Sequence, residues 1–444
     1  MRKYSHDVVL RLRIPHRPGQ LAAIAASIAE HGALLGDIAT HSVGEHDTVR
    51  DLTVEGRDEA HIEAVKHAIR GLDGVELIGV TDMVFERHRG GKLASRARAP
   101  VTTIADLRYI YTPGVARVSR AIERDPDLAW EFTNVGNSVG IFTNGTRVLG
   151  LGDVGPLASM PVMEGKAVLY DQFAGISATP LLVDSKRADV FIDTVVLLSK
   201  TFGGIHLEDI RVPECFAIEE ELVRRLRKPV MHDDQHGTAT VALAALINAC
   251  AMTGVDPRSS RVGQIGLGAA GSAIARTALA YGAREVLVSD LSPEACARMA
   301  GFGASVTDMA TVMRESDIVV ATTGRPGLIR PEMVRRGQVI FALSNPDAEI
   351  DPDVAVAAGA AYAGDGRSIN NALAFPGIFR GALDVRAREI TPAMRLAAAE
   401  AIAAHAEPGE LVPNPLDLRV HAAVRKAVSD TARAQGLANT ARLA

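Results

Sequence analysis

Polar and apolar residues alternate from Asp7 to Ile14 (DVVLRLRI), the period of a strand with one buried face. HRPGQ then turns into LAAIAASIAEHG, whose apolar residues fall at helical spacing and stop at Gly32. Strands are predicted near 34–43 and 47–55, a second helix in DEAHIEAVKHAIRGL, and a last strand in VELIGVTDMVFE. The order βαββαβ closes a compact unit over 1–88, and the basic, small-residue segment RHRGGKLASRARAP supplies a linker over 89–100. Residues 101–235 mix helices with short strands, among them VGIFTN, RVLGLG and TPLLVD. From 236 to 385 helices and apolar strands alternate (RVGQI, REVLVSD, DIVVATTG, QVIFALSN), the pattern of a doubly wound parallel sheet. Residues 386–444 read as helices broken by EPGELVPNPLD, expected to pack back on the middle domain.

Composition narrows the class of function only a little. A formal net charge of -5 gives no support for a nucleic-acid or anionic-membrane partner. Cys215, Cys250 and Cys296 are widely spaced, without metal or redox spacing, so reduced thiols in a cytoplasmic protein are expected. The apolar run Val241–Met252 is too short to span a bilayer, and the N-terminus lacks a signal-peptide pattern.

Gly266-Leu267-Gly268-Ala269-Ala270-Gly271 follows the strand RVGQI and opens a helix. The glycines permit a tight turn and close approach of backbone to a pyrophosphate. Asp290 ends the next strand 19 residues after Gly271, near the offset of a ribose-binding acid. A carboxylate there favours NAD over NADP, because it accepts from both ribose hydroxyls and repels a 2′-phosphate. No basic residue follows until Arg298.

Two acid pairs precede this loop, Glu208-Asp209 in HLEDIRVPECF and Asp233-Asp234 in MHDDQHGTAT. Beside apolar elements such acids repel one another unless a cation sits among them, and oxygen-only ligands suit Mg²⁺ or Mn²⁺. His206, His232 and His236 lie nearby, but they are outnumbered and form no helical metal-ligand pair.

With these motifs in view the chain resembles the malic enzyme family. The resemblance rests on YTPGVA at 111–116, GTRVLGLGDVGP at 145–156, PVMEGKAVLY at 161–170, LEDIRVPECF at 207–216, HDDQHGTA at 232–239, GLGAAG at 266–271, LSNPDAEI at 343–350 and INNALAFPGIFRGALD at 369–384. It implies metal-dependent oxidative decarboxylation of (S)-malate to pyruvate and CO₂ with reduction of NAD(P). It further implies Glu208, Asp209 and Asp234 as metal ligands, Lys166 as general base with Asp233 pairing or orienting it, and Tyr111 as proton donor to C3. Tyr109, two residues earlier and on the same side if the segment is a strand, is the rival donor. Arg147 matches a substrate-carboxylate arginine, and Asn345 and Asn371 match amides that contact substrate and nicotinamide. One departure is a shorter loop, where Gly366-Arg367-Ser368 runs straight into Ile369-Asn370-Asn371.

The first unit resembles an ACT domain through RPGQLAAIAASIAEHGALLGDI, from Arg17 to Ile38. That resemblance implies an amino acid or similar effector near Gly19, Gln20, Gly36, Asp37 and Ile38, and association as a homodimer or higher oligomer. The competing functional readings are an oxaloacetate decarboxylase and a sensor that binds nucleotide and effector without catalysis.

Overall fold

The computed structural model describes residues 6–148 and 150–439. The chain divides into two compact units, Met1–Lys92 and Leu93–Ala444.

In the first unit the strands His6–Pro15, Leu34–Val43, Asp47–Gly56 and Glu76–Asp82 form one antiparallel sheet. Their spatial order is 34–43, 47–56, 6–15, 76–82, and the helices Gln20–Glu30 and Glu59–Arg70 complete βαββαβ. The alternation read from the sequence has a physical outcome. Val8, Leu10, Leu12 and Ile14 turn inward onto Ile24, Ile28, Ile62, Val65 and Ile69. Arg11 turns outward and its guanidinium forks onto the carboxylate of Asp51, its register partner on the neighbouring strand. The last strand ends earlier than its apolar pattern predicts. The Asp82 carboxylate accepts from Val84 N and Phe85 N and starts a helix, Met83–His88, where a strand is expected.

The second unit holds two parallel sheets. The larger runs in the order 305–306, 285–289, 261–265, 318–321, 339–342, 362–365. Numbered along the chain this is 3-2-1-4-5-6, the doubly wound dinucleotide-binding order, whose switch point lies at strand Arg261–Ile265. The smaller runs Ser177–Leu182, Ser138–Thr143, Gly204–Leu207, Val230–His232. In RVLGLG, a predicted strand, the described residues make only the bridge Val148↔Gly152, because Gly150 and Gly152 adopt positive φ and turn the chain.

Helix Asp233–Thr253 serves both cores. Val241 and Ala244 join the core of the smaller sheet, and Ala242, Ala245 and Ala249 join that of the larger. This explains why its sequence is apolar all round. By composition alone it is long and apolar enough to cross a membrane, but 67% of its most apolar stretch is buried inside the protein. The helices Phe375–Asp384, Pro392–Ala403 and Leu418–Ala434 bury Phe375, Phe379, Met394, Ile402, Val420 and Val424 in the core of the smaller sheet.

Candidate active site

Strand pairing brings the two acid pairs together. Strands Gly204–Leu207 and Val230–His232 are parallel neighbours, with Leu207 opposite His232. The residues leaving their carboxyl ends, Glu208-Asp209 and Asp233-Asp234, therefore emerge side by side. Helix Gly155–Ala174 packs on the same sheet and contributes Lys166 from its buried face. The Lys166 Nζ donates to Asp233 Oδ2 at 2.5 Å and lies 3.3 Å from Glu208 Oε2, above the Phe375 ring. Asn371 Nδ2 donates to the same Asp233 oxygen at 2.7 Å. Gly237, one turn along the helix, leaves room for that carboxylate, since a Cβ there would overlap Asp233 Oδ1.

Glu208, Asp209 and Asp234 each present a carboxylate oxygen within 4.8 Å of the others. Asp209 Oδ2 is buried without a partner, while the backbone N–H of Asp209 donates to Asp234 Oδ2 at 2.9 Å. The backbone of Asp209 is left-handed (φ 53°), a conformation held by its surroundings. Burial, and then the neighbouring acids Glu208 and Asp234, push the Asp209 carboxyl up to about 8. Glu208 is also raised, chiefly by burial, against the pull of Lys166. Two carboxylates at such a separation repel by on the order of 3–4 kcal/mol at an effective dielectric of about 20. One lysine cannot offset three such acids. The orphaned oxygen, the raised carboxyls and the all-oxygen donor set fit a hard divalent cation.

His206, Glu208 and Asp233 also converge, but that place is taken. The Lys166 ammonium bonds Asp233 and sits beside Glu208, and His206 is already bonded on both nitrogens. Burial, offset in part by Asp233, lowers the His206 pKa to about 3, so the ring is neutral. Its Nε2–H donates to Glu208 Oε2 (2.6 Å), and its Nδ1 accepts from the Tyr170 hydroxyl (2.8 Å), which burial keeps protonated. Tyr170 is fixed edge-on against Phe375 and Phe379. This chain orients Glu208, as an outer shell orients a ligand. Lys166 itself is opposed by burial, but Asp233 and Glu208 outweigh that effect and raise its pKa.

The other predicted residues fall in three places. Arg147 is exposed, and its backbone N–H donates to the Asp209 carbonyl, so it stands at the rim of the acid cluster. Tyr111 is 66% exposed, and among the described residues its hydroxyl makes no hydrogen bond. Tyr109 lies not on a strand but in helix Ile104–Ile110, started by a Thr103–Asp106 capping box, so strand alternation does not place the two tyrosines on one side. Asn345 is exposed in the loop after strand Val339–Ala342, lining a cleft of about 290 Å³ with Ser344, Asp347, Asp351 and Arg367.

At the glycine loop, Gly266 has φ 89° and a Cβ on Gly271 would strike the Gly266 carbonyl, whereas one on Gly268 would meet nothing within 4 Å. Ala269 and Ala270 begin helix Ala269–Tyr281. Asp290 accepts from Leu267 N (2.5 Å) and Ser292 N (2.8 Å), tying the loop to the end of the neighbouring strand. Arg298 reaches back to the Leu267 carbonyl at 3.5 Å.

In the first unit, Gly19 enters helix Gln20–Glu30 with φ 88°. Gly36 and Asp37 fall in a break of strand register between Leu35 and Ile38, and Ile38 is exposed.

Tyr170, Glu219 and Glu349, together with the orienting role of His206, escape sequence reasoning. His206 and Tyr170 are 36 residues apart and meet only through packing. Glu219 accepts from His232 N, Gln235 and His236, bracing the turn that carries Asp233 and Asp234. Glu349 ties the loops after two strands of the larger sheet. Only His206, two residues before Glu208, carries a usable local signal.

The fold and site define a two-part α/β protein, with a dinucleotide-type sheet beside a buried acid–lysine centre. A family model for the malic enzyme N-terminal domain matches residues 92–223, and one for the NAD-binding domain of D-isomer specific 2-hydroxyacid dehydrogenases matches 225–326. The chain is 50% identical over 425 residues to NAD-dependent malic enzyme 1 of Bacillus subtilis, covering 95% of this chain and 97% of that protein. It is 39% identical to an NAD-dependent malic enzyme of Geobacillus stearothermophilus, covering 97% of this chain and 95% of that one. The crystal structure of malic enzyme from Pyrococcus horikoshii Ot3 superposes with a TM-score of 0.77 at 38% identity, covering 80% of this chain and 91% of that one. The chain belongs to the malic enzyme family.

Proposed function

We propose that this protein oxidises (S)-malate with NAD⁺ and decarboxylates the product, yielding pyruvate, CO₂ and NADH. The observation that carries this reading is the division of the buried acids: three converge with an orphaned oxygen, and the fourth holds Lys166. Family membership supports it. Glu208, Asp209 and Asp234 would hold Mg²⁺ or Mn²⁺, which when bound supplies Lewis-acid stabilisation of oxyanion charge on the substrate.

Lys166 is assigned to take the proton of the C2 hydroxyl as hydride leaves C2 for the nicotinamide. Its proton affinity comes from Asp233 and Glu208. With Glu208 engaged as a ligand, its hold on the amine would weaken and the neutral form would become accessible. Asp233 and Asn371 keep Nζ in place while it gives and takes the proton. Tyr111 is assigned to protonate C3 of the enol after CO₂ departs. Its exposed hydroxyl has no competing hydrogen-bond partner among the described residues, which supports that assignment. Arg147 and Asn345 are assigned to the substrate carboxylate and the nicotinamide side. Asp290 and the 266–271 loop are assigned to the ribose and pyrophosphate of NAD.

The first unit is assigned as an ACT-type regulatory domain. The left-handed Gly19 and the bulge at Gly36-Asp37, beside Gln20 and Ile38, would take an amino acid or similar effector. Exposed Leu107, Ile110 and Val115 support association with a second copy. The three free cysteines fit a cytoplasmic enzyme.

Replacing Lys166 with Ala tests the assignment. NADH formation from malate should fall at least a thousandfold, with NAD⁺ affinity within about twofold of wild type by fluorescence titration. Unchanged turnover would put the base elsewhere.

A further inference from the structure

We propose that a recess among helices Asp233–Thr253, Ala269–Tyr281 and Pro392–Ala403 binds a small oxyanion, a phosphate or carboxylate group held between Arg276 and Arg395. The recess is about 50 Å³, and Arg276, Thr277, Arg395 and His236 supply its polar lining. That volume would take roughly three waters, or one small oxyanion group.

Its charge is one-sided. No carboxylate lines it, and neither arginine has an acidic partner within 4.0 Å among the described residues. The acid whose charge acts on Arg395 is Glu219, whose oxygens already accept from His232 N, Gln235 and His236. Arg395 donates one bond, to the Ile390 carbonyl, and Arg276 stacks on Phe302, which uses none of its N–H groups. Burial lowers the Arg395 pKa to about 10, opposed by Glu219 and assisted to a smaller degree by the Arg276 charge. Arg395 also sits in the first turn of its helix, which carries no acid there and whose N-terminal dipole disfavours a cation.

Two arginines and a threonine lining one small space supply the donor types for forked recognition of an oxyanion. An anion there would relieve the mutual repulsion and the unfavourable dipole together. His236 connects the recess to Glu219, which braces the turn carrying Asp233 and Asp234, so an occupant would sit next to the support of the acid cluster. The inference does not depend on the reaction proposed above.

The test is calorimetric titration of the full chain in EDTA, at constant ionic strength, with saturating NAD⁺ occupying the dinucleotide loop. Inorganic phosphate and acetate are separate arms. Wild type should bind one probe per chain saturably, and Arg276→Gln or Arg395→Gln should weaken it at least tenfold. The tighter arm identifies the group. A second measurement on wild type needs no variant: phenylglyoxal labelling at Arg276 and Arg395, read by peptide mapping, should be slowed by the same probe. Non-saturable heats, variants that bind like wild type, or labelling that the probe leaves unchanged would overturn the proposal.

Discussion

Glu349→Gln examines how the dinucleotide-binding edge is held together. The Glu349 side chain is wholly buried and accepts four hydrogen bonds. Oε1 takes Thr323 N (2.6 Å), Thr323 Oγ1 (2.8 Å) and Ser344 Oγ (2.5 Å), and Oε2 takes Ser344 N (3.2 Å). Ser344 Oγ in turn accepts from Gly324 N at 2.7 Å. Thr323 and Ser344 follow the adjacent parallel strands Ile318–Ala321 and Val339–Ala342, and Asn345 comes next, so one carboxylate clamps the two loops. In Glu349→Gln the amide oxygen can replace Oε1, but the NH₂ then faces Ser344 N–H, donor against donor. One bond is lost, leaving a buried donor unpaired at about 1–3 kcal/mol, and the other three weaken from charge-assisted to neutral. We expect a total loss of about 2–4 kcal/mol, read as a lower urea midpoint for the unit from Leu93 onward. The KM for NAD⁺ should rise at least fivefold. A midpoint shift worth less than about 0.5 kcal/mol with unchanged NAD⁺ kinetics would refute the clamp.

Tyr170→Phe leaves the His206 Nδ1 without its donor and should cost about 1–3 kcal/mol of stability. It should also weaken Mn²⁺ binding about tenfold by loosening Glu208, which a Mn²⁺ titration followed by electron paramagnetic resonance would show. Lys228 gives a pH signature. Its Nζ is half-buried against the carbonyls of Ser199 and Phe202, and burial lowers its pKa from 10.5 to about 8. Between those values the unfolded chain holds a proton that the native state has shed, so wild-type stability should rise with pH across that window relative to Lys228→Met. Parallel slopes in urea unfolding from pH 8 to 10.5 would remove Lys228 from the account.

Much of the centre could be read from the chain because its acids come as doublets at strand ends. Parallel pairing aligns Leu207 with His232, so adjacency in sequence becomes adjacency in space. The doubly wound parallel sheet was legible for a similar reason, since most of its apolar strands alternate with helices; the crossing from Ile318–Ala321 to Val339–Ala342, which carries only the short turn Pro331–Met333, is the exception. What was not legible depended on contacts between distant segments. Tyr170 matters because helix Gly155–Ala174 lays it against His206, and no local pattern distinguishes it from an ordinary core tyrosine. Glu349 looks like a loop acid until Thr323 and Ser344 close around it. Local capping chemistry also overruled apolar spacing. Asp82 turned the end of a predicted strand into a helix, and Thr103 put Tyr109 on a helix, which removed the argument that paired it with Tyr111.

The most direct measurement of the central claim is product stoichiometry from purified protein given (S)-malate and NAD⁺, with and without Mn²⁺. NADH by absorbance and pyruvate by a coupled assay should appear in equal amounts with the metal, and fall together to background when EDTA is added. Absence of pyruvate with either NAD⁺ or NADP⁺, or turnover that survives removal of the metal, would contradict the account.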